Sequence, residues 1–80
     1  MKFQVITPRG TILDKEVGRV TVPGAKGAFT ILKNHAPIIS TLVEGNATYL
    51  EGQREGSVKV IGGVVHVSDN VIRIIGLCEK

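Results

Sequence analysis

The sequence predicts an all-β fold, a single β-sandwich or flattened barrel, on three observations. Val plus Ile number 20 against 9 for Leu plus Ala, and branching at Cβ favours extended backbone over helix. Apolar and polar residues alternate with a period of two in several stretches. Turn-forming residues recur every five to ten positions, so no window between them holds an amphipathic helix of three turns. About nine short strands fit this spacing. A chain of 80 residues makes one domain, residues 1–80, which buries roughly 60–65% of its unfolded surface.

The elements follow in order. Phe3, Val5 and Thr7 alternate with Lys2, Gln4 and Ile6 in a first strand that Pro8-Arg9-Gly10 ends. Val20 and Val22 alternate with Arg19, Thr21 and Pro23, and Pro23-Gly24 turns the chain. Gly24 and Gly27 bracket a basic loop, where positive φ or a close backbone approach is expected. Asn34-His35-Ala36-Pro37 forms an irregular corner, and turns follow at Glu44-Gly45-Asn46 and across Glu51 to Gly56. Val58-Lys59-Val60-Ile61 and Val65-His66-Val67-Ser68 are both strand patterns. Gly62-Gly63 splits them and predicts a sharp reversal or a bulge at a sheet corner. Asp69-Asn70 turns into Ile72-Arg73-Ile74. There is no internal repeat, low-complexity segment or linker.

A hydrophobic fraction of 42%, a charged fraction of 21% and a net charge of +3 exclude a disordered tail or a collagen-like chain. Phe3, Phe29 and Tyr49 are the only aromatic residues, too few for a platform of stacked rings. The charge is localised in the sequence. Arg19, Lys26 and Lys33 lie between Val17 and Val43 with no acid among them, while elsewhere seven cations and seven acids cancel. Cys78 is the only cysteine, so no intrachain disulfide forms. The first eight residues are too short and broken for the apolar region of a signal peptide, and no run approaches a membrane span. The expectation is a soluble, reduced, intracellular protein that meets a membrane only through a partner.

Constellations for catalysis are lacking in this sequence. Pro23 to Ala28 does not have the spacing of a phosphate loop, and no nucleophile elbow is found. Cys78 lies two residues from the C-terminus, where a catalytic geometry is hard to hold, and reads as a packing or exposed thiol. His35 and His66 come with no carboxylate cluster, so no metal site is expected. His66 points away from Val65 and Val67 and reads as a solvent-side residue. His35 sits in the irregular corner, where an imidazole bonding loop backbone and a partner contact are equally compatible with the sequence. Lys26-Gly27-Ala28-Phe29 places a cation beside an apolar tip, either a solvated loop or a docking element. Three cations and one Phe give no phosphate track for nucleic acid.

The segment from Val20 to Gly45, with Pro23-Gly24-Ala25-Lys26-Gly27-Ala28-Phe29 and His35-Ala36-Pro37 in that order, resembles the epsilon subunit of bacterial F-type ATP synthases. So do Gly62-Gly63 with its flanking valines, Asp69-Asn70-Val71, and the opening Phe3 to Pro8. The resemblance covers the whole chain and implies a β-sandwich of about ten strands. It further implies a non-catalytic rotor subunit in the central stalk, without cofactor or metal, which clamps the gamma subunit to the c-ring and couples proton flow to ATP synthesis. The site would lie on the cytoplasmic face of the bacterial plasma membrane, with no nucleic acid among its partners. By resemblance, Gly24, Lys26, Gly27, Ala28 and Phe29 face the c-ring, and Thr7, Pro8, His35, Pro37 and Ile39 face gamma. A rigid sandwich suits torque transfer, since a compliant one would deform instead.

The family carries a C-terminal helical hairpin after this sandwich. The sequence stops at Lys80, so inhibition by that arm, and ATP binding in it, are expected to be absent. Ala28 stands where the family commonly has an acid, and Asn34 where it has glycine; Asn tolerates positive φ. Two other readings compete. A biotinyl- or lipoyl-type carrier needs a lysine at an exposed hairpin tip, for which Asp14-Lys15 is the nearest match. A small RNA-binding barrel is the other.

Overall fold

The computed structural model describes residues 1–79 and, among them, contains strands and turns but no helix. The eight strands are β1 (Lys2–Thr7), β2 (Gly10–Glu16), β3 (Arg19–Val22), β4 (Phe29–Leu32), β5 (Ile38–Leu42), β6 (Gly45–Glu51), β7 (Arg54–Ser68) and β8 (Val71–Glu79). They form one continuous sheet in the order β2-β1-β8-β7-β6-β3-β4, with β5 paired to β7 off this path. The all-β expectation holds, with eight strands where the pattern suggests about nine.

The sheet folds over itself to make the sandwich. In the plane of the sheet β1 and β6 are three strand spacings apart, about 14 Å. Yet the rings of Phe3 on β1 and Tyr49 on β6 lie with centroids 5.5 Å apart, which requires the two halves to pack face to face. One core results. Phe3, Val5, Val65, Val67, Ile72 and Ile74 from one half meet Val20, Val22, Ile31, Ala47, Tyr49, Val58 and Val60 from the other, all buried. No buried side-chain nitrogen or oxygen lacks a partner among the described residues.

Strand β7 joins the halves. Its first part pairs with β6, from Arg54 to Val60, and its second part lies between β8 and β5. Gly62-Gly63 is therefore not a reversal, because β7 runs straight through it. The alternative expectation, a bulge, is what occurs: the register against β8 slips between Val60 and Gly62. The extra residue changes the inward parity. Val58 and Val60 face the core before the bulge, and Val65 and Val67 after it.

The bulge brings two backbones close. A Cβ on Gly76 would lie 2.6 Å from the Cα of Gly63, and one on Gly63 would lie 2.8 Å from the Cα of Gly76. Both positions need glycine, and Gly63 also has φ +146°. The hairpin from β7 to β8 turns on Asp69 (φ +52°) and Asn70 (φ +61°), residues that tolerate the left-handed region. The loop expected across Glu51 to Gly56 is tighter than it looks, since Glu51 already pairs with Arg54.

Thr7 belongs to the turn more than to the core. Its Oγ1 accepts from the Arg9 amide and donates to the Gly10 carbonyl, each at 3.1 Å. The register slip between Val5 and Ile6 against β2 explains why the alternation that buries Phe3 and Val5 does not extend to it.

Candidate interaction surfaces

The chemistry of this molecule lies on its outside. Among the described residues no group of three His, Cys, Asp or Glu comes close enough to hold a metal ion. The distinguishing feature is the outer face of the half formed by β2, β1, β8, the end of β7 and β5. Register aligns Ile6, Ile75, Val64 and Thr41 in one row across it, and Gln4, Arg73, His66 and Ile39 in the next. Ile39 is 72% exposed and Leu77 56%. Ile61, Val64 and Ile75 are exposed with them. Thr7, Pro8, Arg9, Ile61, Leu77, Cys78 and Glu79 line a groove of about 270 Å³ at one end of this face. A monomeric domain rarely leaves so many branched aliphatic side chains on one surface unless something covers them.

The family resemblance marks Ile39, but pattern reading misses the other apolar members of this face. A signal for them is present in the doublets Val64-Val65 and Ile74-Ile75. Where apolar residues occupy both parities of a strand, both faces of the sheet are apolar.

The residues assigned by resemblance to gamma fall at two ends of that half. Thr7 and Pro8 lie near Gly76 and Leu77. His35 and Pro37 precede β5, whose first residue pairs with Val67 at the opposite end. The corner is fastened there: the backbone amide of Asn34, at φ +64°, donates to Asn70 Oδ1 at 2.7 Å, and Asn70 Nδ2 donates to Asn34 Oδ1 at 3.1 Å. The His35 ring is engaged locally, with Nδ1 2.7 Å from the Ala36 carbonyl. Ile39 lies on the outer face between these ends.

The loop after β3 is divided in its exposure. Gly24 is buried, and a Cβ there would lie 2.7 Å from the Gly27 carbonyl and 2.9 Å from the Phe29 ring. Phe29 opens β4 and packs against the core instead of forming an apolar tip. Gly27 has φ +126° and closes the turn with an amide bond to the Gly24 carbonyl at 3.0 Å. Ala25, Lys26, Gly27 and Ala28 are the exposed part.

The localised charge of the sequence separates in space. Lys26 lies beyond the Val22–Phe29 end of the β3–β4 hairpin, whereas Arg19 pairs with Leu32, next to Lys33, at the other end. Four-residue strands put about 10 Å or more between these ends. None of the three cations forms an ion pair among the described residues; Lys2, Lys15 and the N-terminus do.

Three further residues settle smaller points. Lys15 lies within β2, with Nζ 3.1 Å from Glu51 Oε1, so it is not the hairpin-tip lysine that a carrier domain requires. His66 faces outward, as the alternation predicts. Cys78 is half-buried against the core, and burial pushes its thiol above the ordinary range.

The fold is thus a β-sandwich domain with one apolar outer face and one exposed loop that carries a lysine. The family model of the ATP synthase delta/epsilon chain β-sandwich domain matches residues 1–77, and the chain belongs to that family. It is 37% identical over 79 residues to the ATP synthase epsilon chain of Anaeromyxobacter sp. (strain K), covering 99% of this chain and 58% of that one. The epsilon chain of Leptospira interrogans serovar copenhageni is 39% identical over 75 residues, covering 94% and 59%. The chain thus spans less than two thirds of these curated relatives. Among solved structures, a chain of the Euglena gracilis mitochondrial ATP synthase, in an OSCP/F1/c-ring complex, superposes with a TM-score of 0.82 at 25% identity, covering 91% of this chain and 48% of that one. A chain of the Tetrahymena thermophila central stalk and c-ring shares the fold, with a TM-score of 0.78 at 20% identity over the whole of this chain and 63% of its own.

Proposed function

We propose that this sandwich is a non-catalytic part of the central stalk of a proton-translocating ATP synthase, holding the gamma subunit and meeting the c-ring. The observation that carries the reading is the apolar outer face of Ile6, Ile39, Val64, Ile75 and Leu77. It is the surface that an obligate stalk partner would cover, and in this reading that partner is gamma. Residues Thr7 and Pro8 would border that contact at one end, and His35 and Pro37 at the other.

The second contact is the turn formed by Lys26, Gly27 and Ala28, with Gly24 and Phe29 shaping it from beneath. A turn pinned on both sides transmits force better than a free loop, because less of the applied work is lost in bending. The complex would place the chain at the cytoplasmic face of a bacterial plasma membrane, held there by its partners alone. Affinity capture tests the reading. The tagged chain, added to a mild-detergent extract of its source cells, is expected to retain gamma. Failure to retain it, with the chain folded, removes the proposal.

A further inference from the structure

A second surface feature lies along the edge of β5 that faces away from β7. Strand β5 pairs only with β7 on one side. On its other side the loop after β3 begins a ladder. The Ala25 amide donates to the Thr41 carbonyl and the Val43 amide to the Pro23 carbonyl, each at 2.9 Å, around the bridge between Gly24 and Leu42. These two bonds fix the direction of the backbone. Thr41 and Val43 turn their peptide groups away from β7, so strand alternation turns those of Ile39 the same way.

The loop leaves the ladder at Lys26, where the Gly27 amide bonds back to Gly24. The Ile39 rung therefore stays open, with an N–H and a C=O facing outward. Beside it Ala25, Lys26, Ile38, Ile39, Ser40 and Thr41 line a trough of about 400 Å³. The trough contains one cation, no acid, and the flank of an isoleucine that is 72% exposed.

We propose that this edge takes up an extended segment of a partner protein, added beside β5 as a further strand and carrying an acidic side chain opposite Lys26. The open rung supplies main-chain hydrogen bonds, the means by which added strands bind sheet edges. Ile38 and Ile39 favour an aliphatic residue on the incoming strand. The acid follows from charge: Lys26 has no ion-pair partner among the described residues, and no Asp or Glu occurs from Val17 to Val43. A lysine at an edge also discourages indiscriminate pairing, so the acid is what would select the strand. The edge shares Lys26 with the turn proposed to meet the c-ring and Ile39 with the face proposed to meet gamma, but its measurement requires neither subunit, so the two readings fail separately.

The test uses the 80-residue chain, labelled with ¹⁵N, and the capped peptide acetyl-Val-Thr-Val-Glu-Val-Thr-amide. Binding is expected to shift the amides of Ala25, Lys26 and Ile38 to Thr41, and to slow hydrogen exchange at Ile39. Replacing the peptide's Glu by Lys is expected to weaken binding roughly threefold at low salt, an effect that Lys26→Glu reverses. Methylating alternate peptide nitrogens is expected to abolish it. The proposal is overturned if about 1 mM peptide shifts nothing, if the N-methylated peptide binds equally well, or if the shifts fall on Ile6, Val64 and Ile75. Protection of Ile39 that rises with protein concentration, without peptide, would assign the edge to a second copy and overturn it too.

Discussion

The two faces of the sheet formed by β1, β8 and the end of β7 carry almost the same residues and have opposite fates. Val5, Ile74 and Val65 form an inner row and are fully buried. One residue further along, Ile6, Ile75 and Val64 form an outer row that is half-buried or exposed. The difference teaches that hydrophobicity in this chain has two uses. The inner row pays the entropy of folding; the outer row is the face that the proposed stalk contact would cover.

The strongest way to break the comparison is at the glycines that separate the two phases of β7. Gly76→Val forces a side chain into the backbone at Gly63 and is expected to cost more than about 4 kcal/mol. Chemical denaturation checks this, and a stable, cooperatively folding variant would contradict the close approach. Next is a matched pair. Ile74→Ala removes inner-row packing and is expected to cost about 3 kcal/mol, within the usual range for a buried isoleucine. Ile75→Ala, its exposed neighbour, is expected to cost less than about 1 kcal/mol in the isolated chain.

The same pair sharpens the functional side. Ile75→Lys is expected to leave the far-UV spectrum and melting transition nearly unchanged while weakening gamma capture at least about tenfold. Equal capture would move the gamma contact elsewhere. A smaller effect is expected at the turn. Lys26→Asp should lower proton-coupled ATP synthesis by about twofold to fivefold while soluble hydrolysis stays intact. Phe29 is unsuitable as a companion substitution, because it packs against the core. The smallest expected effect concerns Cys78. Since burial raises its thiol, less thiolate is present at pH 8 than for a free cysteine, and alkylation by iodoacetamide should be correspondingly slower. Reaction at the rate of a free thiol would place Cys78 in solvent.

Several parts of this arrangement are legible in the residues. Asn34 is a residue that tolerates positive φ and Asp69-Asn70 marks a turn, and all three adopt positive φ. Gly24 and Gly27 mark the loop for two reasons, and each meets one: close approach at the first, φ +126° at the second. Other parts are not legible. Gly10 to Glu16 has no clean alternation, yet it pairs with β1 along its length as β2. The β2–β3 connection at Val17-Gly18 carries no obvious turn pair, and is held by amide bonds to the Met1 and Leu50 carbonyls, each at 2.8 Å. Those partners are distant in sequence, so no local reading finds them.

What the sequence determined alone is the β class, most of the turns and the need for small or permissive residues at particular corners, because these depend on local sterics and on a period of two. A period of two says that a strand has two faces; it does not say which is inside. Tertiary structure decided that. The bulge in β7 moved the inward phase from Val60 to Val65, and the fold placed Ile75 outside beside Val64. It also parted Lys26 from Arg19 and Lys33, which the sequence holds in one acid-free segment. Strand pairing sets such positions through contacts between residues far apart in the chain, and only the folded sheet contains them.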